Sequence, residues 1–393
     1  MIQTIFWILF ILVAYTYIGY AVLLLILNGL KRLLGKKLQK YQTPDPLPEV
    51  TLLIAAYNEK NTIKTKVQNT REIHYPVDKL KVIWISDGSN DGTPEMLSQY
   101  SEIMLLHDPV RKGKTAALNR AIRFVKTPFV VFSDANTMLD PEAIIKLITP
   151  FNDKKVGCVA GEKRIVKNVF EIAAGAGEGA YWKYESVLKR LESNFSTALS
   201  AAGELYAIRT ELYQSADEDA IIDDFVISFH IARQGYLIKY QPKAFALENS
   251  SANIHEELKR KIRIASGAIQ TIIRYPSLFN FFRHGFLSFE FISHKVFRWL
   301  IVPVAIPLIA ILTVILCLQS GWRHPVFMTF LVLQAVFYFF VLLGLFFEKK
   351  ATRWKFFFFP YYLIVINYAQ YAGIIKYLRG KQNVIWDKAQ RAS

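Results

Sequence analysis

The sequence predicts an α/β domain on a mostly parallel sheet, flanked by transmembrane helices and by amphipathic helices at the membrane interface. Three observations predict it. Short apolar runs alternate with helical patterns between residues 44 and 275, which is how a parallel sheet with helices on both faces is written. Uncharged stretches of about twenty residues, enough to cross ~30 Å of hydrocarbon, stand on both sides of that region. Basic residues gather at the ends of those stretches, as they do on the cytoplasmic side of a membrane.

Composition agrees. The 393 residues carry 48 Lys and Arg against 32 Asp and Glu, a formal charge of +16, yet 52% are hydrophobic. So apolar a chain is not disordered, and one both basic and apolar is not a purely water-soluble nucleic-acid binder; no nucleic-acid partner is expected. Cys158 and Cys317 stand far apart, so neither a disulfide framework nor a paired-cysteine metal cluster is expected.

From the N-terminus, residues 1–30 read as a transmembrane helix, uncharged from Ile5 to Leu27. Lys31, Arg32, Lys36, Lys37 and Lys40 follow it and place the next segment in the cytosol. No cation precedes the apolar run and no small-residue cleavage site follows it, which argues against a signal peptide. Pro44, Pro46 and Pro48 make a stiff linker. In the domain spanning 44–275, Val50–Ala55, Val82–Ser86, Ile103–His107 and Phe129–Ser133 read as strands, and Asn61–Arg71, Pro94–Tyr100 and Lys114–Phe124 as the helices between them. Residues 276–298 mix Phe279, Phe281, Phe282, Phe286, Phe289 and Phe291 with Arg283, His284, Glu290, His294 and Lys295, the composition of interfacial helices; an ordinary core helix is the alternative. Residues 299–375 hold two clear spans, Leu300–Leu318 and Val326–Phe347, with Lys349, Lys350, Arg353 and Lys355 after them. A third stretch, Phe356–Tyr371, is interrupted by Pro360, Asn367 and Gln370, and the sequence leaves a crossing and a re-entrant or surface-lying course both open. A polar tail, 376–393, closes the chain.

Parallel sheets bind ligands beyond the carboxyl ends of their strands. Polar clusters follow all four expected strands: Ala56-Tyr57-Asn58-Glu59, Asp87-Gly88-Ser89-Asn90-Asp91-Gly92-Thr93, Arg111-Lys112-Gly113-Lys114-Thr115 and Asp134-Ala135-Asn136-Thr137. Each alone suits a turn or a helix cap; four in succession point to a site. Gly88 and Gly92 do not have dinucleotide-fingerprint spacing, and Asp108 occupies the position where a Walker loop before Gly113-Lys114-Thr115 needs glycine. Lys114 remains suited to a diphosphate.

Taken in order, these segments resemble glycosyltransferase family 2 with its GT-A fold, and within it the membrane-embedded branch of cellulose, chitin, hyaluronan and poly-N-acetylglucosamine synthases. Ser86-Asp87-Gly88-Ser89 is similar to the family's Asp-Asp-Gly-Ser motif, Asp134-Ala135-Asn136 to its Asp-x-Asp metal motif, the segment Ala201 to Arg209 to its acceptor-site segment, and Ile222-Asp223-Asp224 to its Thr-Glu-Asp motif. Arg260-Lys261-Ile262-Arg263-Ile264 stands where processive members carry Gln-x-x-Arg-Trp; the Gln and Trp are absent, and the last Asp of Asp-x-Asp is Asn136.

The resemblance implies an inverting, metal-dependent transferase that moves sugar from a nucleotide sugar, a UDP-sugar, to a growing polysaccharide at a cell inner membrane, with the catalytic domain cytoplasmic. It implies Tyr57, Glu59 and Asp87 around base and ribose, with Lys114, Asp134 and Arg263 at the diphosphate. It places Mg²⁺ or Mn²⁺ on Asp134 with Asn136. Gly203, Glu204, Asp223 and Arg260 would face the acceptor. A carboxylate base is needed for the acceptor hydroxyl; Asp224, flanking the apolar face of the helix that carries Phe225 and Phe229, is the candidate. The acidic run Asp217–Asp224 also suits a helix N-terminus, and the basic run Lys259–Arg263 a face toward lipid headgroups. Two alternatives stand beside this expectation: single-sugar transfer to a lipid or lipid-linked acceptor, and a non-catalytic nucleotide-sugar-binding membrane subunit or transporter. Membrane lipids and accessory export subunits are the remaining expected partners.

Overall fold

A computed structural model describes residues 1–35, 39, 41–166, 173–347 and 358–381. Lys36, Lys37, Lys40, Lys349, Lys350, Arg353 and Lys355, and the tail from 382 onward, lie outside the described residues.

The chain begins with α1 (Ile2–Ala14) and α2 (Tyr20–Leu33), joined through a π-helical turn into one 32-residue helix. At 1.5 Å per residue it outreaches the hydrocarbon layer, and it contains the expected span. Then β1 (Val50–Ala56), α3 (Lys60–Arg71), β2 (Leu80–Asp87), α4 (Thr93–Leu97), β3 (Ile103–Asp108), α5 (Lys114–Ala121) and β4 (Phe129–Asp134) alternate as expected. Two helices are shorter than the pattern implied: α4 stops at Leu97, and α5 gives way to a 3-10 turn over Ile122–Phe124. These four strands pair in parallel in the order β3-β2-β1-β4. Their residues alternate between two cores. Leu53, Ile85 and Phe132 face α5, while Leu52, Ile54 and Trp84 face α3, because successive strand side chains point to opposite faces.

The second half of the sheet is mixed. It comprises β5 (Met138–Leu139), α6 (Ala143–Ile148), β6 (Val156–Val166), α7 (Ala173–Phe195), β7 (Leu205–Arg209), α8 (Asp223–Arg233), β8 (Leu237–Asn249) and α9 (Ile254–Arg274). The eight-stranded sheet runs β3-β2-β1-β4-β7-β6-β8-β5. β7 lies antiparallel between β4 and β6, and β6 pairs with β8 in parallel. The reversal has a positional effect. Ser133 on β4 pairs with Leu205 on β7, so the start of β7 meets the carboxyl end of β4 at the edge where the polar clusters emerge.

After α9 come α10 (Phe281–His284), α11 (Phe286–Glu290), α12 (Val302–Gln319), α13 (Pro325–Phe347) and α14 (Phe358–Leu378). Three helices among the described residues are long and apolar enough to cross a membrane: Ile2–Leu33, Phe286–Gln319 and Pro325–Phe347. The second of these runs across residue 298, so the segment from Phe286 onward, expected as interfacial, begins the helix that continues through α12. Its polar side chains are buried. Lys295 Nζ lies 3.1 Å from Glu185 of α7, His294 Nδ1 lies 2.6 Å from Glu192, and Arg298 also pairs with Glu185. The third apolar stretch forms α14, which is not among the three and packs on α7, α9 and α13. Asn367 and Gln370, which interrupt its apolar pattern, are buried within the protein.

The α9–α14 contact depends on a glycine. A Cβ at Gly373 would lie 2.9 Å from the Ser266 amide nitrogen and collide with the Ala265 Cβ, and Ser266 Oγ donates to the Gly373 carbonyl. Gly373→Ala is expected to lower stability by about 1–3 kcal/mol, read as a lower thermal midpoint in detergent. Gly29→Ala, where a Cβ meets nothing within 4 Å, is the control and is expected to leave the midpoint unchanged or raised.

Candidate active site

The loops after β1 and β2 are tied together. Asn58 takes a positive φ of 52°, which asparagine tolerates better than most residues. Its amide donates to Ser89 Oγ at 3.0 Å, and its side chain exchanges hydrogen bonds with Asn90. The Glu59 and Lys60 amides donate to Thr93 Oγ1 and Asp91 Oδ2. Glu59 is buried and stands at the N-cap of α3, its carboxylate accepting from Thr62 Oγ1 at 3.0 Å. Tyr57 lies under the Arg111 guanidinium, 3.4 Å from carbon to ring centroid. Arg111 belongs to one of the four clusters but was not itself expected at the site.

Asp87 is buried and anchors the loop between β3 and α5. It accepts from the backbone N–H groups of Lys112 at 3.2 Å and Gly113 at 2.7 Å. Gly88 serves the same contact, since a Cβ there would collide with Arg111. The anchored loop aims α5 so that its first residue, Lys114, reaches across the strand ends.

Lys114 is the centre of the site. Its Nζ donates to Asp134 Oδ1 at 2.7 Å and lies 3.6 Å from Asp223 Oδ2. The point where a Gly203 Cβ would stand is 3.5 Å from both Lys114 Nζ and Asp224 Oδ2, so a large side chain at 203 would fill the gap between them. Asp134 thus comes from β4, Gly203 from the turn before β7, and Asp223 and Asp224 from the first turn of α8. Arg263 of α9 approaches from the other side; its Nη1 donates to the Ile221 carbonyl at 3.3 Å, and it lies within electrostatic range of Asp223, Asp224 and Asp134.

A second chain of contacts was missed from the sequence. Lys163 of β6 is buried and pairs with Glu204 at 2.8 Å and with Glu248 of β8. Asn136 Nδ2 donates to Glu248 Oε1 at 3.2 Å. Arg260 hydrogen-bonds Glu257 of its own helix at 3.0 Å and adds positive field at Glu204. Neither strand singles these residues out, since β6 carries Glu162, Lys163 and Arg164 in succession and β8 carries Lys239, Lys243 and Glu248.

These placements set the charge states. Burial and then the neighbouring Asp223 push Asp224 up to about 6, against the pull of Lys114. Burial opposes the charge of Lys114, but Asp134 and Asp223 outweigh it and hold the ammonium above its ordinary range. Burial raises Asp134, with Lys114 opposing. Burial would also raise Glu204, but Lys163 overrides it and holds that carboxylate low.

No group of three or more His, Cys, Asp or Glu able to hold a metal ion occurs among the described residues. A closed protein cage is not what Mg²⁺ or Mn²⁺ needs beside a diphosphate, where one or two carboxylates complete a shell of phosphate and water oxygens. Asp134 with the Asn136 carboxamide is an oxygen donor set of that kind, so the residues present fit such an ion.

A mixed sheet of this order, with carboxylates gathered at its ligand-binding edge, is the GT-A fold of glycosyltransferases. A family model described as "Glycosyltransferase like family 2" matches residues 48–267; the chain belongs to that family and is a glycosyltransferase. It is 29% identical over 241 residues to a poly-beta-1,6-N-acetyl-D-glucosamine synthase of Staphylococcus aureus strain MSSA476, covering 58% of this chain and 57% of that protein. It is 26% identical over 232 residues to the synthase of the same name from Staphylococcus epidermidis, covering 57% of this chain and 56% of that one. The match thus spans little more than half the length of these relatives. Among solved structures, a mannosyltransferase from Pyrobaculum calidifontis in complex with GDP-Man and Mn²⁺ superposes over 97% of this chain and 100% of that one, at 25% identity and a TM-score of 0.69.

The Asp87 anchor is directly testable. Asp87→Ala leaves the Lys112 and Gly113 N–H groups without their acceptor, a loss of roughly 1–3 kcal/mol. Limited trypsin digestion is expected to cut this variant after Arg111 or Lys112 faster than the parent. An unchanged digestion rate contradicts the anchoring role.

Proposed function

We propose that the chain extends a polysaccharide at a cell inner membrane, taking sugar from a cytosolic nucleotide sugar, a UDP-sugar, with inversion at the anomeric carbon. The observation that carries this reading is the meeting of Asp134, Asp223, Asp224 and Gly203 around Lys114. The relatives named as polysaccharide synthases support the product class. The basic residues after the first helix support a cytosolic catalytic domain.

In this mechanism Tyr57, Glu59 and Asp87 line the nucleoside end of the donor. Lys114 and Arg263 meet the diphosphate and balance the charge it gains as the glycosidic bond breaks. Asp134 and Asn136 would hold a divalent cation, which supplies further charge neutralisation at the same oxygens. The acceptor hydroxyl, beside Gly203 and Glu204, attacks the anomeric carbon from the face opposite the diphosphate, and its proton passes to Asp224. A base near 6 is ionised at neutral pH and still close to the operating range, which suits general-base work. One displacement inverts the centre, so no second carboxylate nucleophile is required.

A second reading has its own support. The likeness to a mannosyltransferase runs along almost the whole chain, and Arg260 and Ile264 stand where processive members carry Gln and Trp. Both favour transfer of a single sugar to a lipid or lipid-linked acceptor. Purified protein in nanodiscs, given UDP-sugars or GDP-Man with Mg²⁺ or Mn²⁺, separates the two. Nucleoside diphosphate release identifies the donor, and product size distinguishes polymer from single addition.

Asp224→Asn is expected to keep UDP binding and to lose about 10²–10⁴-fold in turnover; near-normal turnover removes the base assignment. Asp134→Ala is expected to lose both turnover and its response to added Mn²⁺. Because Asp224 acts ionised, log kcat/KM of the parent is expected to rise with unit slope below about 6 and to level off above it. A flat profile through that range contradicts the proposed base.

A further inference from the structure

Helix α3 hides a lysine. Its inward face consists of Ile63, Lys66 and Val67, and Lys66 is fully buried, with 0% of its surface exposed. A lysine almost never occupies such a position without a specific partner. An apolar side chain of similar length would avoid the cost of removing an amine from water.

Its partners explain the choice. Lys66 Nζ donates to Ser133 Oγ at 2.9 Å and to the Thr137 carbonyl at 2.6 Å. Those two residues bracket Asp134-Ala135-Asn136. Within the turn, the Thr137 amide reaches the Asp134 carbonyl at 3.4 Å, Thr137 Oγ1 and Ser133 Oγ donate to the same carbonyl at 3.0 and 3.3 Å, and the two hydroxyls stand 3.2 Å apart, so most of its own bonds are long. One turn further along α3, Asn69 exchanges hydrogen bonds with the Leu139 backbone at 2.8 and 2.9 Å. The segment from 133 to 139 is therefore strapped to α3 from beneath, while Asp134 faces Lys114 above.

We propose that Lys66 is a positioning residue for the donor site, acting as a two-point clamp from α3 that fixes the Asp134-Ala135-Asn136 turn. The proposal rests on the reading of that turn as the place where cation and diphosphate bind. The clamp works without a formal charge. Burial pushes the Lys66 amine down to about 7, and a neutral amine still has two N–H groups to donate. Groups that orient a metal ligand from behind commonly change metal affinity by 10–100-fold when removed.

The clamp predicts a split between stability and binding. Lys66→Met fills the same space without the buried amine, so the thermal midpoint of the ligand-free protein is expected to hold or rise. The peptide covering residues 133–139 is nonetheless expected to exchange its amide hydrogens faster than in the parent, with the β1–β2 peptides unchanged. UDP binding in the presence of Mn²⁺, measured by calorimetry on the full chain in nanodiscs, is expected to weaken roughly tenfold. Lys66→Gln, which keeps an N–H donor on a shorter side chain, is expected to shift both readouts in the same direction by less than Lys66→Met; it carries the test if Lys66→Met does not fold. A role in packing alone would instead lower the midpoint and leave Mn²⁺-dependent UDP affinity alone. Exchange at 133–139 and UDP affinity both unchanged in the folded variants overturn the proposal. Failure of the parent itself to bind UDP with Mn²⁺ overturns the donor reading, and amide exchange at 133–139 then decides the clamp by itself.

Discussion

The site is organised by one ammonium group among carboxylates in a confined space. Lys114 faces Asp134 and Asp223 directly and Asp224 electrostatically. Without it, three like charges would be forced together away from water, and one or more would take up a proton. With it, the carboxylates can stay close: burial raises both Asp134 and Asp224, and Lys114 opposes the rise in each. Asp224, next to Asp223, is pushed up to about 6. On the proposed mechanism, an incoming diphosphate would compete for the same ammonium, so donor binding and the charge of Asp224 would be linked.

Lys114 is placed by the register of the sheet and by one side-chain anchor. The parallel half of the sheet brings the ends of β1, β2 and β4 level, with Ala55 beside Asp134 and Ala56 beside Ser86. Asp87 then fixes the loop that starts α5. The antiparallel entry of β7 delivers Gly203 and Glu204 to the same edge. Lys163 bridges Glu204 to Glu248, and Glu248 in turn holds Asn136. A small number of buried ion pairs thereby joins segments that are far apart in the chain, and breaking such a pair is costly because it strands a charge.

The same principle joins the catalytic domain to the apolar helices. Glu185 of α7 gathers Arg298, Lys295 and His294. Glu192 accepts from Tyr20 and meets His294, and Lys31 caps the α7 carbonyls of Asn194 and Phe195. Helix α7 is thus bonded to both the first apolar helix and the one beginning at Phe286. The cationic residues that looked like an interfacial face turn inward because the acidic partners they need lie on α7.

Much of this was legible in the sequence. Hydrophobic period separated the strands from the helices of the first sheet half, and Pro360, Asn367 and Gln370 marked the third apolar stretch as unlike the other two. The motif residues Asp87, Lys114, Asp134 and Asp224 were legible because each closes a strand or lies in the first turn of a helix. Lys66, Lys163, Glu248 and Arg111 were not, since each stands among other charged or polar residues and its partner lies in a distant segment. Local patterning determined which segments are strands, helices and spans, because periodicity and hydropathy act over a few residues. Only the tertiary structure decided the reversal at β7, the inward turn of Lys295 and Arg298, and the clamp under Asp134, because each depends on a charge meeting its opposite from a distant part of the chain.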